Sequence, residues 1–387
     1  MTTTRLYYQD AYLADFRAHV VERADDGRRV YLERTAFYPS SGGQPSDAGD
    51  IAGIPVVDVI DEDKRIAHIT AGAIQGVEVD CRIDWTRRFD HMQQHTGQHV
   101  LSAVLVELYG VETVGFHLGA ESSTIDLAAP ALGTDQVLAV ETRVNQRVAE
   151  NLPVVIVFEE ASEAKGLRRP SEREGELRIV SIEGLDRSPC GGTHVKATGE
   201  IGPILIRKLD KIRGNVRIEF LCGTRAVRRA RADFDALSRI AKMLSAPLDD
   251  SPSLVAVLRE AGEAAEKARQ RLAAELARFR GREMYEAALT GPDGLRRGVH
   301  RQPSGSLEEV RGLAQGFTAH PKAVFVGAVE DPPAVLLAVS ADTGLNAGGL
   351  LKAALAKFGG RGGGSAVLAQ GSVASPQALA LLLKELP

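Results

Sequence analysis

Four side chains able to bind a metal ion occur as two pairs with the same spacing. His95 and His99 are four residues apart in an apolar-flanked segment, and Cys190 and His194 are four residues apart much later in the chain. Residues at i and i+4 of a helix share one face, so the two histidines of the first pair can point at one ion. A thiolate and imidazole nitrogens together form a ligand set suited to zinc. The sequence therefore predicts one Zn2+ per chain, bound by these four residues.

The residues around the first histidine pair and the number of ligands limit the kind of metal site. A histidine pair at this spacing, taken alone, is usually structural or solvated, so the prediction depends on the second pair. No glutamate lies between the two histidines, which disfavours an H-E-x-x-H peptidase. Four protein ligands are typical of a structural zinc, whereas a catalytic zinc keeps one position open. For a catalytic zinc, either one of the four residues binds loosely or the ion becomes five-coordinate when substrate enters, and the sequence leaves both alternatives open. We expect His91 at the surface or beside the ligands, and His117 in a pocket or the core.

Two glycine-containing segments could approach a ligand closely. In the turn-rich segment from Thr35 to Asp47, Gly42 and Gly43 allow close backbone approach, although a glycine pair on its own usually serves only a turn. The segment from Gly359 to Gly364 holds five glycines among six residues. It is consistent with a phosphate-binding or carboxylate-binding loop and equally with a flexible loop.

The elements that must position these residues indicate a multidomain α+β protein. Short β-branched strands predict a small β-barrel over residues 1–85, with a hairpin turn at Asp25-Asp26-Gly27. Mixed strands and helices follow in a zinc-binding α+β domain over residues 86–225. Residues 226–290 predict a helical hairpin or short coiled coil, and residues 291–387 an α/β domain. The apolar seam of the helical region consists of Leu254, Leu258, Ala261, Ala265, Ala268 and Leu272.

Charge and cysteine content limit the classes of protein. The formal net charge of −4 over 387 residues argues against a uniformly basic surface for nucleic acid. The segment from Arg207 to Arg231 is different, because it holds nine basic and two acidic residues, a net charge of +7. This segment fits a phosphate backbone or an ordinary solvated helix face. Apolar runs are too short to span a bilayer, and three widely spaced cysteines form no disulfide framework, so we expect a cytoplasmic protein without a membrane partner.

Three segments together resemble the editing module of alanyl-tRNA synthetases and the free-standing alanyl-tRNA editing (AlaX) proteins. These segments are the T-x-F-Y-x-x-S-G-G-Q loop from Thr35 to Gln44, the H-x-x-x-H helix at His95 and the C-G-G-T-H run at Cys190. The helical region and the stretch from Gly359 to Gly371 resemble the C-terminal domain of the same synthetases. The resemblance implies the long AlaX form, with residues 86–225 as the editing domain. The residues before the module are too few for an aminoacylation core, so we expect no tRNA charging.

The resemblance implies a substrate and roles for the loop residues. The substrate would be tRNA(Ala) charged with serine, and glycine is a second candidate. A pocket built for alanine rejects an added hydroxyl only about 10²-fold, so a second hydrolytic site is useful. Thr35 matches the position implicated in serine recognition, and Gly42, Gly43 and Gln44 would act near the ester carbonyl, as an oxyanion site would. No general base is evident in the sequence.

Several alternatives stay open from the sequence. The related editing domain of threonyl-tRNA synthetases would hydrolyse Ser-tRNA(Thr), and a zinc-stapled tRNA-binding protein would have no activity. The C-terminal region is expected to bind tRNA or to form a homodimer.

Overall fold

The protein is described from a computed structural model that covers residues 2–170 and 174–387. The mixed α+β class predicted from the sequence is confirmed. Contacts divide the chain into two units, Met1–Arg239 and Ile240–Pro387. No helix in the described residues is both long enough and apolar enough to cross a membrane.

The first unit begins with a closed six-stranded barrel in which apolar and polar side chains alternate. In the strand from Glu78 to Ile83, for example, Val79, Cys81 and Ile83 are buried and the intervening residues are exposed. This alternation fills the barrel interior with one face of each strand. The predicted turn at Asp25-Asp26-Gly27 joins two antiparallel barrel strands, as expected. The strands of this region are β1 Thr4–Arg5, β2 Asp15–Ala24, β3 Arg29–Leu32, β4 Arg34–Thr35, β5 Gly49–Ile51, β6 Ile54–Glu62, β7 Arg65–Thr70 and β8 Glu78–Ile83, and the barrel order is β2-β3-β7-β6-β5-β8.

The long helix α1, Trp85–Tyr109, follows the barrel directly. Its start is capped by Asp84, whose side chain accepts a hydrogen bond from the backbone N–H of Arg87, and its end is the left-handed Gly110, as the sequence predicts. Every residue from His91 to Leu105 is buried, because α1 is surrounded by other elements of the unit. The helix therefore presents its polar side chains to protein rather than to bulk water.

Two antiparallel sheets complete the first unit. A four-stranded sheet has the order β14-β15-β10-β9, and a three-stranded sheet has the order β11-β12-β13. β13 ends at Pro189, directly before Cys190, so the three-stranded sheet fixes the start of the second ligand pair. These elements are β9 Thr113–Leu118, β10 Ser123–Leu127, α2 Thr134–Ala149, β11 Val154–Glu160, β12 Glu176–Ile182, β13 Asp186–Pro189, β14 Ile204–Ile212, β15 Asn215–Cys222 and α3 Gly223–Leu244, the last of which runs across the division between the units.

The second unit combines a long helix with a five-stranded sheet of order β16-β17-β18-β20-β19. Gly281 and Gly316 let the end of the long helix approach the following helix closely, since a side chain at either position would collide with backbone atoms of the other helix. Much of the predicted apolar seam lies on the exposed part of the long helix, where Leu258 and Leu272 are 57% and 58% exposed. A coiled-coil partner for this seam stays a prediction. The elements are α4 Ser251–Ala287, β16 Arg296–Ser304, α5 Leu307–Thr318, β17 Ala323–Asp331, β18 Ala334–Val339, α6 Ala347–Lys357, β19 Arg361–Gly364, β20 Leu368–Ser372 and α7 Pro376–Leu382.

The glycine-rich segment differs from both interpretations offered by its composition. Arg361 to Gly364 forms the edge strand β19, which pairs with β20, instead of a ligand-binding or flexible loop. A side chain at Gly362 would collide with the carbonyl of Gln370 and with the side chain of Leu355. Close packing of this edge strand against α6 and β20 therefore explains that glycine.

Candidate metal centre

The structure brings the four predicted ligands together at one point. His95 and His99 lie on successive turns of α1, and Cys190 and His194 lie in the loop that follows β13. One potential ligand atom from each residue lies within 4.8 Å of the others. The Cys190 Sγ atom is 3.4 Å from His95 Nε2 and 3.3 Å from His194 Nε2. Three of the residues are buried and Cys190 is partly exposed, so the cluster can hold a metal ion.

Each of the three imidazole rings is fixed by a partner on its other nitrogen. His95 Nδ1 lies 2.8 Å from Gln44 Oε1, His99 Nδ1 lies 2.8 Å from Asp186 Oδ2, and His194 Nδ1 lies 3.1 Å from Thr96 Oγ1. A metal-binding histidine commonly donates its non-ligating N–H in this way. In His95 and His99 the acceptors are an amide oxygen and a carboxylate, so Nδ1 carries the proton. The Nε2 atoms face the cluster, where both rings would bind a metal ion in their neutral form.

The partner of His99 is a fully buried carboxylate with further bonds. Asp186 accepts from Arg168 Nε at 2.6 Å and from Ser188 Oγ at 3.0 Å. These interactions, together with His99, overcome the effect of burial and lower the pKa of Asp186 to about 2. Asp186 is therefore an anion that holds the His99 ring in place.

The electrostatics of the cluster favour a thiolate beside imidazoles. Burial opposes ionisation of Cys190, but the neighbouring His95 and His194 hold the pKa of its thiol well below the ordinary value. Burial also opposes protonation of His99, yet its bonds to Asp186 and Cys190 raise its pKa to about 9. Burial lowers the pKa of His194 to about 3. The cluster thus contains the deprotonated sulfur that a metal ligand requires.

The glycine-containing loop reaches the cluster through Gln44. Its amide nitrogen donates to Thr193 Oγ1 at 2.9 Å, and its oxygen accepts from the backbone N–H of Thr193 at 3.2 Å as well as from His95. Gln44 therefore links a ligand on α1 to the loop that carries the other pair. A side chain at Gly192 would lie 2.3 Å from the His95 ring, so only glycine permits this approach.

Gly42 and Gly43 form the turn beside Gln44, and both have positive φ angles, of 56° and 83°. The Gly43 carbonyl accepts from the backbone N–H of Leu118 at 2.9 Å, and a side chain at Gly43 would lie 2.7 Å from the carbonyl of Phe116. The turn is thus docked on β9, and Gly42 lines the cleft that contains the cluster.

A buried ion pair fixes the same loop to α1. Arg88 bonds both oxygens of Asp47, and neither side chain is exposed. Arg88 also donates to the carbonyls of Ala11 and Ala36, and Asp47 accepts from the backbone N–H of Tyr38 at 2.7 Å. The ion pair therefore fixes the position of the loop relative to α1.

Thr35 lies inside the protein rather than on the surface of the cleft. It is fully buried, and its Oγ1 is 2.8 Å from His68 Nε2 and 3.1 Å from the N–H of Phe37. Because His68 Nδ1 faces the carbonyl of Val30 at 3.1 Å, it donates there, and Nε2 accepts the hydroxyl proton of Thr35. The donor of Thr35 is thus already used, and its role in serine recognition stays a prediction.

The other two histidines also have defined positions. His91 is buried on α1, and burial lowers its pKa to about 4. The predicted interior position of His117 is wrong: this residue is exposed on β9. Alternation explains the difference, since Leu118 and Phe116 face the core and His117 points the other way.

The cluster opens into a cleft of about 1150 Å³. Aromatic residues and arginines from several elements line the cleft, including Tyr7, Tyr8, Tyr38, Phe116, Arg5 and Arg178. Tyr8 lies between two guanidinium groups, with Arg5 Cζ at 5.6 Å and Arg178 Cζ at 5.1 Å from its ring centroid. The cleft is large enough for a nucleotide-sized ligand beside the cluster.

The basic segment from Arg207 to Arg231 carries less free charge than its composition suggests. Five of its nine basic residues form ion pairs, four of them with aspartates that lie outside the segment. Arg225, for example, bonds Asp90 and is nearly buried. Counting charge along the sequence could not reveal these partners.

Sequence reasoning missed three residues that shape the site, namely Asp186, Thr96 and Arg178. Asp186 and Thr96 are common polar residues, and nothing in their local sequence distinguishes them. Both act through contacts with residues that are 87 and 98 positions away, respectively. Arg178 lies between the apolar residues Leu177 and Ile179 of β12, and a charged residue at such a position was the one available signal.

Comparison with known proteins gives a consistent family. A family model described as the threonyl and alanyl tRNA synthetase second additional domain matches residues 177–219, and the DHHA1 domain matches residues 307–387. The chain is 40% identical over 238 residues to the alanyl-tRNA editing protein AlaX-L of Pyrococcus horikoshii, an alignment covering 58% of this chain and 59% of that protein.

Two further curated relatives extend this result. The alanyl-tRNA editing protein Aarsd1 of Mus musculus is 34% identical, with 65% of this chain and 63% of the relative aligned. The alanyl-tRNA editing protein AlaX-M of Methanosarcina acetivorans is 39% identical, with 56% of this chain and 98% of the relative aligned. The chain thus spans about three fifths of the length of the first two relatives and nearly all of the third. On this evidence, the chain belongs to the family of alanyl-tRNA editing proteins.

Proposed function

We propose that this protein is an aminoacyl-tRNA hydrolase that removes serine from mischarged tRNA(Ala) in trans, with glycine as a second candidate amino acid. The observation that carries the proposal is the convergence of His95, His99, Cys190 and His194 in an open cleft of a chain from this family. The relatives are named for alanyl-tRNA editing, which supports hydrolysis of the ester between an amino acid and the terminal ribose.

We propose zinc as the ion, at one per chain. Tetrahedral zinc with Zn–S of about 2.3 Å and Zn–N of about 2.0 Å would separate sulfur from nitrogen by about 3.5 Å. The two separations of 3.4 and 3.3 Å between Cys190 Sγ and imidazole nitrogens are close to this value. One thiolate and three neutral imidazoles are also the ligand types that zinc prefers. When bound, zinc would polarise the ester carbonyl or anchor the free α-amino group, and such a contact would require one of the four ligands to bind loosely or the ion to become five-coordinate.

The residues of the chain would position the ester around this centre. Gln44 holds His95 and the cysteine loop, so it keeps the ligands in place as the substrate enters. The N–H groups of Gly42 and Gly43 have no hydrogen-bond acceptor within residues 2–170 and 174–387. We propose that they donate to the carbonyl oxygen as negative charge develops there. Aromatic rings line the cleft and would hold the ester against these donors.

The test is a deacylation assay on purified protein with Ser-tRNA(Ala), Gly-tRNA(Ala), Ala-tRNA(Ala) and Ser-tRNA(Thr). We expect hydrolysis of Ser-tRNA(Ala) and no hydrolysis of Ala-tRNA(Ala). The double variant Cys190→Ala with His194→Ala should lose the bound metal and the activity together. Preferential hydrolysis of Ser-tRNA(Thr) would favour threonyl editing, which the family model at residues 177–219 also includes. Tight tRNA binding without hydrolysis would favour a non-catalytic tRNA-binding protein with a structural zinc.

The second unit is proposed to bind tRNA or to form a homodimer. Its exposed apolar seam on α4 and the match of residues 307–387 to the DHHA1 domain support a role outside the chemistry. Sedimentation of the full chain with and without tRNA(Ala) would distinguish a dimer from a monomer. A change of Leu258 and Leu272 to glutamate should dissociate a seam-mediated dimer and leave a monomer unchanged.

A further inference from the structure

Arg178 presents an unused hydrogen-bond donor in the cleft. The residue lies on β12 and is only 9% exposed. Nη1 donates to the carbonyl of Cys190 at 2.5 Å, and Nε donates to the carbonyl of Tyr8 at 3.3 Å. The third nitrogen, Nη2, is buried and has no partner among the described residues. Two backbone carbonyls therefore hold the guanidinium group in the wall of the cleft, and a ligand would have to pack closely against this wall to accept from the buried Nη2.

Within the described residues no carboxylate pairs with Arg178, and its charge is offset in part by the Cys190 thiolate of the ligand cluster. Three other arginines line the cleft, of which Arg5 pairs with Asp61, Arg168 pairs with Asp186, and Arg169 is exposed. No carboxylate lies within ion-pair distance of Arg178 in residues 2–170 and 174–387, and its Cζ atom lies 5.1 Å from the centroid of the Tyr8 ring. Burying a cation that has no carboxylate partner is costly, and an anion bound beside it would reduce that cost.

The proposed substrate offers only one kind of permanent anion near this position. The ester carbonyl is neutral, and the free α-amino group carries no negative charge, so neither group would attract Arg178 as an anion does. The phosphodiesters of the acceptor end are negatively charged at every relevant pH, and a guanidinium group matches phosphate oxygens in geometry. The contact of Nη1 with the Cys190 carbonyl places Arg178 directly beside the ligand cluster. The phosphate concerned is therefore one adjacent to the terminal nucleoside.

We propose that Nη2 of Arg178 donates to the phosphodiester linking the last two nucleotides of the acceptor end, so that Arg178 is a substrate-positioning residue of the cleft. This inference rests on the proposed function. The phosphate would complete the hydrogen bonding of Arg178 and fix the terminal ribose relative to the cluster. Because this contact is made to the tRNA backbone, it does not depend on which amino acid the tRNA carries.

The experiment measures the affinity of the full-length protein for two uncharged acceptor-stem hairpins that end in CCA. One has a normal final phosphodiester, and the other has a neutral methylphosphonate at that linkage. We expect the protein to bind the normal hairpin at least about tenfold more tightly, since a hydrogen bond to a charged group is stronger than one to a neutral group. Arg178→Met should bind both hairpins with the same, weaker affinity. Arg143→Met is the control, because it removes an arginine of α2 that pairs with Glu107 of α1. This variant should still bind the normal hairpin more tightly than the methylphosphonate hairpin.

Several results would overturn the inference. Equal binding of the two hairpins by the unaltered protein would show that no phosphate contact exists at this linkage. Discrimination that persists in Arg178→Met would assign the contact to another residue. A fall in kcat on Ser-tRNA(Ala) without any linkage dependence of affinity would place Arg178 at the reacting ester. If Arg178→Met does not fold by circular dichroism, Arg178→Lys should bind with reduced discrimination.

The binding measurement separates this inference from the proposed function. Linkage discrimination by a protein that hydrolyses no mischarged tRNA would support Arg178 as a phosphate ligand and refute the hydrolase. Hydrolysis of Ser-tRNA(Ala) by a protein that binds both hairpins equally would support the hydrolase and refute Arg178 as a phosphate ligand.

Discussion

The hydrogen bond between Asp186 and His99 should determine how tightly the cluster binds metal. The change Asp186→Asn keeps the shape of the side chain and an oxygen for His99 Nδ1, but it removes the negative charge. The carboxylate oxygens of Asp186 also accept hydrogen bonds from Arg168 and Ser188. In Asp186→Asn, the side-chain NH2 group would therefore lie against at least one N–H or O–H donor. Loss of a partner of this kind typically weakens metal binding about 10-fold to 100-fold, equivalent to about 1.4–2.7 kcal/mol.

The assay is a competition between the metal-free protein and a fluorescent zinc chelator of known affinity. Asp186→Asn should raise the Kd for zinc about 10-fold to 100-fold at unchanged stoichiometry. Asp126→Asn is the matched control, because Asp126 pairs with Arg217 on the sheet and has no contact with the cluster. Ser188→Ala, which removes one donor to Asp186, should have a smaller effect in the same direction.

One outcome would refute this reasoning. If Asp186→Asn is folded and binds zinc as tightly as the unaltered protein and the Asp126→Asn control, the carboxylate does not orient His99. The cluster would then owe its affinity to the four ligand residues alone.

Three further predictions concern the elements that support the site. Thr35→Val leaves His68 Nε2 and the N–H of Phe37 without partners and should lower the free energy of unfolding by about 1–3 kcal/mol. Thr35→Ser keeps the hydroxyl and should lower it less. A Val variant of unchanged stability would mean that the hydroxyl is free to bind serine. Burial lowers the pKa of His68 to about 4, so between this value and the unfolded value near 6.5 the unfolded chain binds the extra proton. The free energy of unfolding should therefore fall as pH drops from about 6.5 towards 4, by at most about 3 kcal/mol, and His68→Gln should flatten this dependence in urea titrations; an identical slope in both proteins would exclude His68 as the cause. Asp47→Asn weakens the fully buried ion pair with Arg88 and should lower the free energy of unfolding by up to about 3–5 kcal/mol. Asp80 forms an exposed ion pair with Arg17, and Asp80→Asn should lower the free energy of unfolding by under about 1 kcal/mol. Similar losses in both variants in chemical denaturation would show that burial of the Asp47 pair is unimportant.

The sequence was sufficient for features that depend on local pattern and residue chemistry. The helix α1, its end at Gly110 and the convergence of the two ligand pairs follow from helical spacing and from the preference of zinc for sulfur and nitrogen. The hairpin at Asp25-Asp26-Gly27 follows from turn preferences. Each of these needs only neighbouring residues or a known motif.

Features that depend on distant contacts could not be predicted. The hydrogen bonds of Gln44 with His95 and of Asp186 with His99 join residues 51 and 87 positions apart. The hydroxyl of Thr35 is available in the sequence but bonded to His68 in the fold. The charge of the segment from Arg207 to Arg231 is partly neutralised by partners elsewhere, such as Asp126. In each case the deciding partner is set by tertiary structure.

The most direct test of the account is the rate of Ser-tRNA(Ala) deacylation as zinc is added to metal-free protein. The account predicts a rate that rises with zinc and saturates at one zinc per chain, together with no response in the Cys190→Ala, His194→Ala double variant. A rate that is the same without zinc as with it, in a protein shown to be metal-free, would contradict the central role assigned to the cluster.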